Sequence, residues 1–373
     1  MDTLYLAAAC AVVPGLGRRK ISALVKLWGS ARAVFEADAA ALAATGICTP
    51  KAIDNYITNR DRKLPQKLDY FCQQNGVRLI SIYDVDYPES LRQIADAPLV
   101  LYVKGELPQS SYAFSIVGSR NCTEYGLRVA SMFATMLTRN GIPIISGGAR
   151  GIDTAAHKAC LQVGGKTVAV LGCGLDVVYP SENAALFSSI VRNGALVTEY
   201  PPGVQPLANH FPARNRIIVG LSQAVLVAEA GKRSGAVITA NIAADEGREV
   251  YCIPGNIFDG SSVGCHELIR NGAKLVDTPQ DILEDIQCWQ QTVQRQPQQP
   301  TIFDSAEQEQ PKRVIKTTEL GAKLLALLQA GALSLESLTE KSKVGFASVS
   351  MELLELQAAG LVAVDQVQRY YRT

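Results

Sequence analysis

Residues 64–286 alternate short apolar runs with helical patterns, and this alternation constrains the fold more than any other feature of the chain. Most of the runs are rich in β-branched residues and end at Gly, Ser, Pro or Glu, as buried strands do. We predict strands at 77–83, 99–103, 113–117, 143–145, 167–171, 195–198, 224–228 and 249–253. The pattern predicts a doubly wound, mostly parallel α/β sheet.

The segments outside this region predict three further parts. Residues 1–63 favour short helices around Pro14-Gly15-Leu16-Gly17, which fits either a helix–hairpin–helix unit or a small helical, SAM-like interaction domain. Residues 287–316 are rich in Gln and Pro and predict a flexible linker. Residues 317–373 predict a winged helix, whose third helix carries almost no basic residue, so protein contact or dimer support is favoured over DNA reading.

Composition excludes several classes of protein. Residues 64–310 hold more acidic than basic residues, so phosphate binding there would need a few well-placed arginines and backbone amides. The 9 cysteines form no CxxC pair and there are only 3 histidines, which indicates reduced cytoplasmic thiols and no metal site. No apolar run approaches the length of a membrane span, and the apolar start at 4–13 is interpreted as a helix rather than a secretion signal.

Glycine-rich polar motifs follow the predicted strands, at the edge where open α/β sheets bind ligands. The candidate binding residues in these motifs are Gly118, Ser119, Arg120, Ser146, Gly147, Gly148, Ala149, Arg150, Arg214, Asn215, Arg216, Ser234, Gly235 and Asn241. We expect Arg120, Arg150 and Arg214 to line one groove and hold consecutive phosphates. For Ser234, Gly235 and Asn241, helix capping is the alternative to a contact with phosphate or sugar.

The segment 146–153 has the strongest anion-binding pattern. Its three glycines let backbone amides approach an anion, a helix start adds partial positive charge, and Arg150 adds a guanidinium. The alternative is a tight strand–helix turn capped by Asp153. His157 lies one helical turn after Asp153, which predicts a structural Asp–His pair, and Arg216 has Glu199 or Glu229 as alternative partners to a phosphate.

Known catalytic and nucleotide motifs are missing from the chain. There is no GxxxxGK[ST] phosphate loop, no GxSxG nucleophile elbow and no complete dinucleotide fingerprint. We therefore predict a binding protein without cofactor or catalytic residues. Two alternatives stay open: a nucleotide-processing enzyme of the phosphoribohydrolase-like group, whose PGGxGTxxE loop is absent, and a duplex-DNA-binding regulator acting through the winged helix.

The ordered motifs resemble those of the DprA/Smf (DNA-processing protein A) family. They are IVGSR, SGGARGID, LGCGLDVVYP, LVTEYPPG, FPARNRIIVGLS, VLVAEAG with SGAVITA, EGREVYCIPG and LIRNGAKLV, spanning about residues 65–280. The resemblance implies an extended Rossmann-like domain that binds single-stranded DNA and homodimerises. It further implies that the protein protects incoming DNA during natural transformation (competence) and loads RecA recombinase onto DNA displaced from single-strand-binding protein. It also implies that 118–120, 146–150, 214–216 and 234–235 form the phosphate-binding groove.

Overall fold

The computed structural model describes residues 2–12, 15–110, 112–295, 318–358, 361–364 and 369–372. The chain divides into two compact units, Met1–Gln296 and Pro297–Thr373. In the described part of the chain, no helix combines the length and apolar character needed to cross a bilayer.

The first unit begins with short helices. These are α1 (Asp2–Ala11), α2 (Arg18–Trp28), α3 (Ala31–Glu36), α4 (Ala39–Ala44), α5 (Pro50–Asn59) and α6 (Leu64–Asn75). Side chains of Ser30, Asp38 and Thr49 cap α3, α4 and α5, which fixes where each helix starts. These helices share one apolar core with Val100 and Tyr102 of the sheet, so residues 1–63 are part of the first unit rather than a separate body.

One sheet of nine strands forms the centre of this unit, counted over its described residues. In chain order the strands are β1 (Val77–Ser81), β2 (Val100–Gly105), β3 (Phe114–Val117), β4 (Ile144–Ser146), β5 (Thr167–Val170), β6 (Gly194–Thr198), β7 (Ala224–Val227), β8 (Glu249–Cys252) and β9 (Lys274–Leu275). Their spatial order is β1-β2-β6-β5-β4-β3-β7-β8-β9. Strands from β6 to β9 in this order pair in parallel, whereas β2 pairs antiparallel with both β1 and β6.

Helices cover both faces of the sheet, as the predicted doubly wound fold requires. They are α7 (Glu89–Arg92), α8 (Glu124–Arg139), α9 (Ile152–Gln162), α10 (Ala184–Arg192), α11 (His210–Gly220), α12 (Gly235–Asp245), α13 (Val263–Arg270) and α14 (Pro279–Arg295). Helices α8, α9 and α14 bury one face, whereas α7, α11, α12 and α13 bury the other. The chain winds from β3 out to β6 and then returns to place β7 beside β3, which makes the β3–β7 junction the topological switch point.

The second unit contains three helices and a small sheet in its described residues. The elements are α15 (Glu319–Leu327), β10 (Leu333–Ser334), α16 (Leu335–Ser342), α17 (Phe346–Ala358), β11 (Val362–Val364) and β12 (Arg369–Arg372). The three helices and the final strand pair come in the predicted order, and the short β10 was not predicted. Helix α17 exposes Met351 and Leu354 and contains no Lys or Arg.

The predicted linker requires one correction. Helix α14 continues to Arg295, so residues 287–295 are helical, because the periodic apolar positions Ile282 and Ile286 anchor this helix against the sheet. The rest of the predicted linker, 296–316, lies outside the described residues.

Candidate functional site

A cleft of about 730 Å³ opens at the carboxyl ends of β3 and β7, at the switch point of the sheet. We call it the rim cleft. Its principal lining residues are Gly118–Asn121, Asp153, Tyr179, Phe211, Arg214, Asn215, Gly231–Ala236 and Thr239. The cleft therefore unites the segment after β3, the start of α11 and the segment leading into α12.

Arg120 is exposed in the rim cleft and lies over an aromatic ring. Its guanidinium carbon is 4.9 Å from the ring centroid of Phe211. The Phe211 ring lies 5.5 Å, centroid to centroid, from the ring of Tyr179. A cation beside two partly exposed rings can contact both the phosphates and the flat bases of a nucleic acid.

The loop between β7 and α12 supplies further positive charge. Lys232 and Arg233 are exposed, and only Lys232 has an ion-pair partner in the described residues, Glu267 at 3.5 Å between Nζ and Oε1. Ser234 caps α12 by accepting a hydrogen bond from the Ala236 amide at 3.3 Å. Ser234 and Gly235 thus place the positive end of a helix at the cleft, and capping does not exclude them from its lining.

The loop after β4 is already occupied by a carboxylate of the chain. Asp153 Oδ2 accepts hydrogen bonds from the amides of Gly147 at 3.1 Å and Ala149 at 3.3 Å. Asp153 therefore binds the preceding loop, while Gly151 takes the N-cap position of α9. The sequence predicted that these amides would face a phosphate, but in the structure the anion they hold is Asp153.

Arg214 lies beneath this loop, in the wall of the rim cleft. Its side chain is buried, and Nη1 donates hydrogen bonds to the carbonyl oxygens of Gly147, at 2.7 Å, and Val170. Burial lowers the pKa of Arg214 to about 10, and burial likewise raises the pKa of the Asp153 carboxyl. Backbone carbonyls thus bind Nη1 of Arg214, and the predicted contact of this residue with phosphate stays a prediction.

Of the remaining residues of this loop, Ser146 and Gly148 pack within the fold, and Arg150 lies beside the rim cleft without lining it. Ser146 is buried and its hydroxyl donates to the Ile116 carbonyl at 2.6 Å. Gly148 has φ +66°, and a Cβ there would lie 2.9 Å from the Phe187 ring. Arg150 is exposed but pairs with Glu182, with 2.6 Å between Nη2 and Oε1, beside a small cavity next to the rim cleft.

Arg216 is a buried member of a partly exposed ionic network away from the cleft. Its Nη2 lies 2.6 Å from Glu199 Oε2, and Arg18 from α2 and Asp96 complete the network. Of the two carboxylates that the sequence offered, Glu199 is therefore the partner. Glu229 instead accepts a hydrogen bond from the Thr123 amide at 2.9 Å, at the start of α8. The predicted phosphate contact of Arg216 is corrected, because its charge is neutralised internally.

Three other predicted residues have clear positions. Gly118 lines the cleft, and a Cβ there would lie 2.4 Å from Ile152, so α9 can approach β3 only at a glycine. Asn215 also lines the cleft, and its Nδ2 donates to the Gly235 carbonyl at 3.5 Å. Asn241 is exposed farther along α12 and does not line the cleft.

The predicted pair between Asp153 and His157 does not form. His157 is buried and its Nδ1 lies 2.7 Å from Thr167 Oγ1, while Nε2 has no hydrogen-bond partner among the described residues. Burial, with a smaller contribution from Arg214, lowers the pKa of His157 to about 3. His157 is therefore a neutral core residue. The described residues contain no cluster of three or more His, Cys, Asp or Glu side chains that could hold a metal.

Comparison with known families identifies the first unit. The family model for DNA recombination-mediator protein A matches residues 78–287. The chain belongs to this family. Family relatives include DNA processing protein DprA of Streptococcus pneumoniae, 50% identical over 208 residues that cover 56% of this chain and 73% of the relative. Protein Smf of Escherichia coli is 38% identical over 328 residues, covering 87% of this chain and 85% of Smf.

Solved structures of the DprA/Smf family have the same fold. The X-ray structure of S. pneumoniae DprA matches with a TM-score of 0.63 at 39% identity, covering 76% of this chain and 95% of that one. A Helicobacter pylori DprA structure, described by its unique single-stranded DNA binding mode, matches with a TM-score of 0.52 at 27% identity, covering 57% of this chain and 96% of that one. The predicted extended Rossmann-like fold is confirmed.

Several lining residues of the rim cleft were not predicted from the sequence of this DprA/Smf-family chain. Lys232 and Arg233 stand between Gly231 and Ser234 in the loop after β7, and this position was the available signal. Phe211 and Tyr179 had no such signal, since an aromatic residue beside proline is equally typical of packing. The site combines cations, a helix start and aromatic rings, an arrangement suited to a flexible polyanion with planar groups.

Proposed function

We propose that the rim cleft binds single-stranded DNA and that the chain, as a recombination mediator, passes the strand to RecA. One observation carries the proposal: the exposed Arg120 lies on Phe211 in the same cleft that Lys232 and Arg233 line. Cations bind the backbone irrespective of sequence, and aromatic rings stack on any base. The single-strand binding described for the H. pylori relative supports the assignment.

The revised binding set differs from the one that the sequence predicted. Arg120, Lys232 and Arg233 contact phosphates, Ser234 and Gly235 offer the start of α12, and Phe211 stacks on a base. Gly118, Ser119 and Asn215 shape the cleft walls. Arg150 joins the site when a phosphate displaces Glu182, and Ser146–Ala149 hold the loop in place from below.

The wider role in the proposal follows the family. The protein acts in the cytoplasm without catalysing a reaction, protects incoming DNA during transformation, and loads RecA where single-strand-binding protein is displaced. A homodimer would bring two rim clefts onto one strand and raise the apparent affinity by about 10²–10⁴ where the geometry permits.

Fluorescence anisotropy with a labelled oligothymidylate tests the cleft. Replacing Lys232 and Arg233 together by Gln should weaken binding and reduce the slope of log K against log salt by about 1.4, or about 0.7 for each lost phosphate contact. Arg120→Gln should reduce it by about 0.7. Asn241→Ala, in α12 but outside the cleft, is the control and should bind normally.

A second measurement separates base stacking from charge. Phe211→Leu should weaken binding to oligothymidylate by at least about fivefold, as the lower range of base–aromatic stacking implies, and leave the salt slope unchanged. Unchanged affinity and slopes in all of these cleft variants would exclude the rim cleft as the DNA site. Strand exchange by RecA in the presence of single-strand-binding protein then tests the loading step with the same variants.

A further inference from the structure

A second group of unpaired cations lies at the opposite end of the sheet strands. Arg78 in β1, Lys104 in β2 and Lys166, which precedes β5, line one open cleft of about 910 Å³. We call it the edge cleft. It lies where β5 and β6 begin, because β2 runs antiparallel to β6 and ends beside Ala195. The rim cleft, in contrast, lies where the parallel strands end.

The cations of the edge cleft have no internal counterions. None of the three forms an ion pair or a side-chain hydrogen bond with a described residue. The single carboxylate among the lining residues is Glu106, which is exposed. In the rim region, by comparison, Lys232 and Arg150 each have a carboxylate within ion-pair distance. Three cations against one exposed carboxylate give the lining of the edge cleft a net positive charge, which attracts an anion.

The backbone fixes the spacing of these cations. Strands β1, β2, β6 and β5 are consecutive neighbours, so the backbone positions of Arg78 and Lys166 are separated by three strand spacings, or about 14 Å. Gly105 has φ +94°, and a Cβ there would lie 2.2 Å from the Gly194 carbonyl oxygen. Only glycine therefore permits this close approach of β2 to β6. In the strand order the backbone of Lys104 lies between those of Arg78 and Lys166, and its side chain leaves the sheet on the opposite face from Arg78.

We propose that the edge cleft is a second binding site for single-stranded DNA, one that contacts only its phosphodiester backbone. The separation of about 14 Å between the backbones of Arg78 and Lys166 is longer than a single phosphate needs. This length favours a chain of phosphates over an isolated anion. The residues that line it include no aromatic side chain, so it has nothing on which a base could stack. The proposal rests on the proposed function for the identity of the polyanion, but not for the location of the site.

Binding stoichiometry tests the two clefts separately. The probe is an oligothymidylate of about 12 nucleotides, within the size range of one single-strand site, measured on the full chain by native mass spectrometry and anisotropy. We expect two probes for each wild-type chain at saturation. The edge variant, with Arg78→Gln, Lys104→Gln and Lys166→Gln, should bind one probe, and the rim variant, with Lys232→Gln and Arg233→Gln, should also bind one.

The outcomes distinguish the two proposals. If the edge variant still binds two probes, or wild type binds one with an affinity that the edge substitutions leave unchanged, the edge cleft is not a site. If the rim variant retains two probes while the edge variant binds one, the proposed function of the rim cleft fails and the edge cleft stands. An abasic strand of the same length should bind the edge cleft as tightly as oligothymidylate does.

A charge-matched control removes the effect of net charge. Lys26→Gln, Lys51→Gln and Arg62→Gln delete the same number and types of charge from exposed positions in the N-terminal part of the chain. This control should retain two probes, and an equal loss in it would overturn the assignment to the edge cleft. Because Lys104 is half-buried, the double variant Arg78→Gln, Lys166→Gln serves as a second version, with at least a fivefold weaker second binding step expected.

Discussion

Two loops of this molecule look alike in sequence and differ in what they can bind. The loop after β4 and the loop after β7 both combine glycine with arginine, follow a buried strand and lead into a helix. In the first loop, Asp153 binds the amides of Gly147 and Ala149, and Arg214 binds the Gly147 carbonyl, so these groups already have partners within the chain. In the second, Lys232 and Arg233 face solvent in the rim cleft.

The difference teaches that a glycine-rich loop can be an anion site whose anion belongs to the protein. Amides approach a negative group in the same manner whether it is a phosphate or a carboxylate. The spacing of glycines therefore does not decide between ligand binding and internal bonding. What decides is whether the first turn of the next helix carries a carboxylate, as that of α9 does with Asp153.

The largest effect should follow from removing that carboxylate. Asp153→Ala leaves the amides of Gly147 and Ala149 without an acceptor and Arg214 without a nearby negative charge. We expect the free energy of unfolding to fall by about 3 kcal/mol, measured by denaturant titration. Asp245→Ala, an exposed control in α12, should change it by less than about 0.5 kcal/mol.

Asp153→Ala can also refute the contrast between the loop after β4 and the loop after β7. If Asp153→Ala keeps its stability and binds single-stranded DNA more tightly, the loop after β4 is a phosphate site that Asp153 normally blocks.

The next effect separates buried from exposed arginines. Arg214→Met removes hydrogen bonds to the carbonyls of Gly147 and Val170 and should lower the free energy of unfolding by about 2 kcal/mol. Arg120→Met, at an exposed position, should change stability by less than about 0.5 kcal/mol while weakening DNA binding. Denaturant midpoints and anisotropy measured on both variants check that Arg214→Met loses stability whereas Arg120→Met loses DNA binding. Equal losses of stability in the two variants would contradict this expectation.

His157 in α9 should make the free energy of unfolding depend on pH. The folded-state pKa of His157 is about 3, below its unfolded value, because the neutral ring is buried. Its contribution to stability is present above about pH 6.5 and is lost as the pH falls toward the folded pKa, by about 1.4 kcal/mol for each pH unit. Denaturation at pH 7.5 and pH 5.5 should show this loss in wild type and a smaller one in His157→Gln; identical pH dependence in the two proteins would refute it.

The smallest effect concerns Arg150, which is exposed like Arg120 but is bound by a partner within the chain, as Arg214 is. Glu182→Gln frees the Arg150 guanidinium from its ion pair beside the rim cleft and removes a negative charge there. We expect about a twofold gain in affinity for oligothymidylate at low salt, which disappears at high salt as the charges are screened. In the double variant Glu182→Gln, Arg150→Gln the gain should vanish; its persistence would assign the effect to Glu182 alone.

Much of the fold could be predicted, because the spacing of apolar residues and the residue types at turns depend only on neighbouring positions in the sequence. The predicted strands from 113–117 to 249–253 overlap β3 to β8, and Ser234 caps α12, whereas Asp153 does not cap α9. The short β9 and the antiparallel pairing of β1 and β2 were not predicted, since two-residue strands and strand direction leave no periodic signal. The linker boundary was wrong at 287–295, where tertiary contacts of α14 outweigh a Gln-rich composition.

The sequence by itself determined the alternation of strands and helices, the family, and the edge of the sheet at which the polar motifs gather. Only the tertiary structure decided which cations face solvent. Arg120 follows β3, whereas Arg214 and Arg216 lie in α11. Arg120 lies on Phe211, Arg214 binds carbonyl oxygens and Arg216 pairs with Glu199. The physical reason is that exposure depends on partners distant in sequence, and a buried guanidinium is stable only where such partners converge.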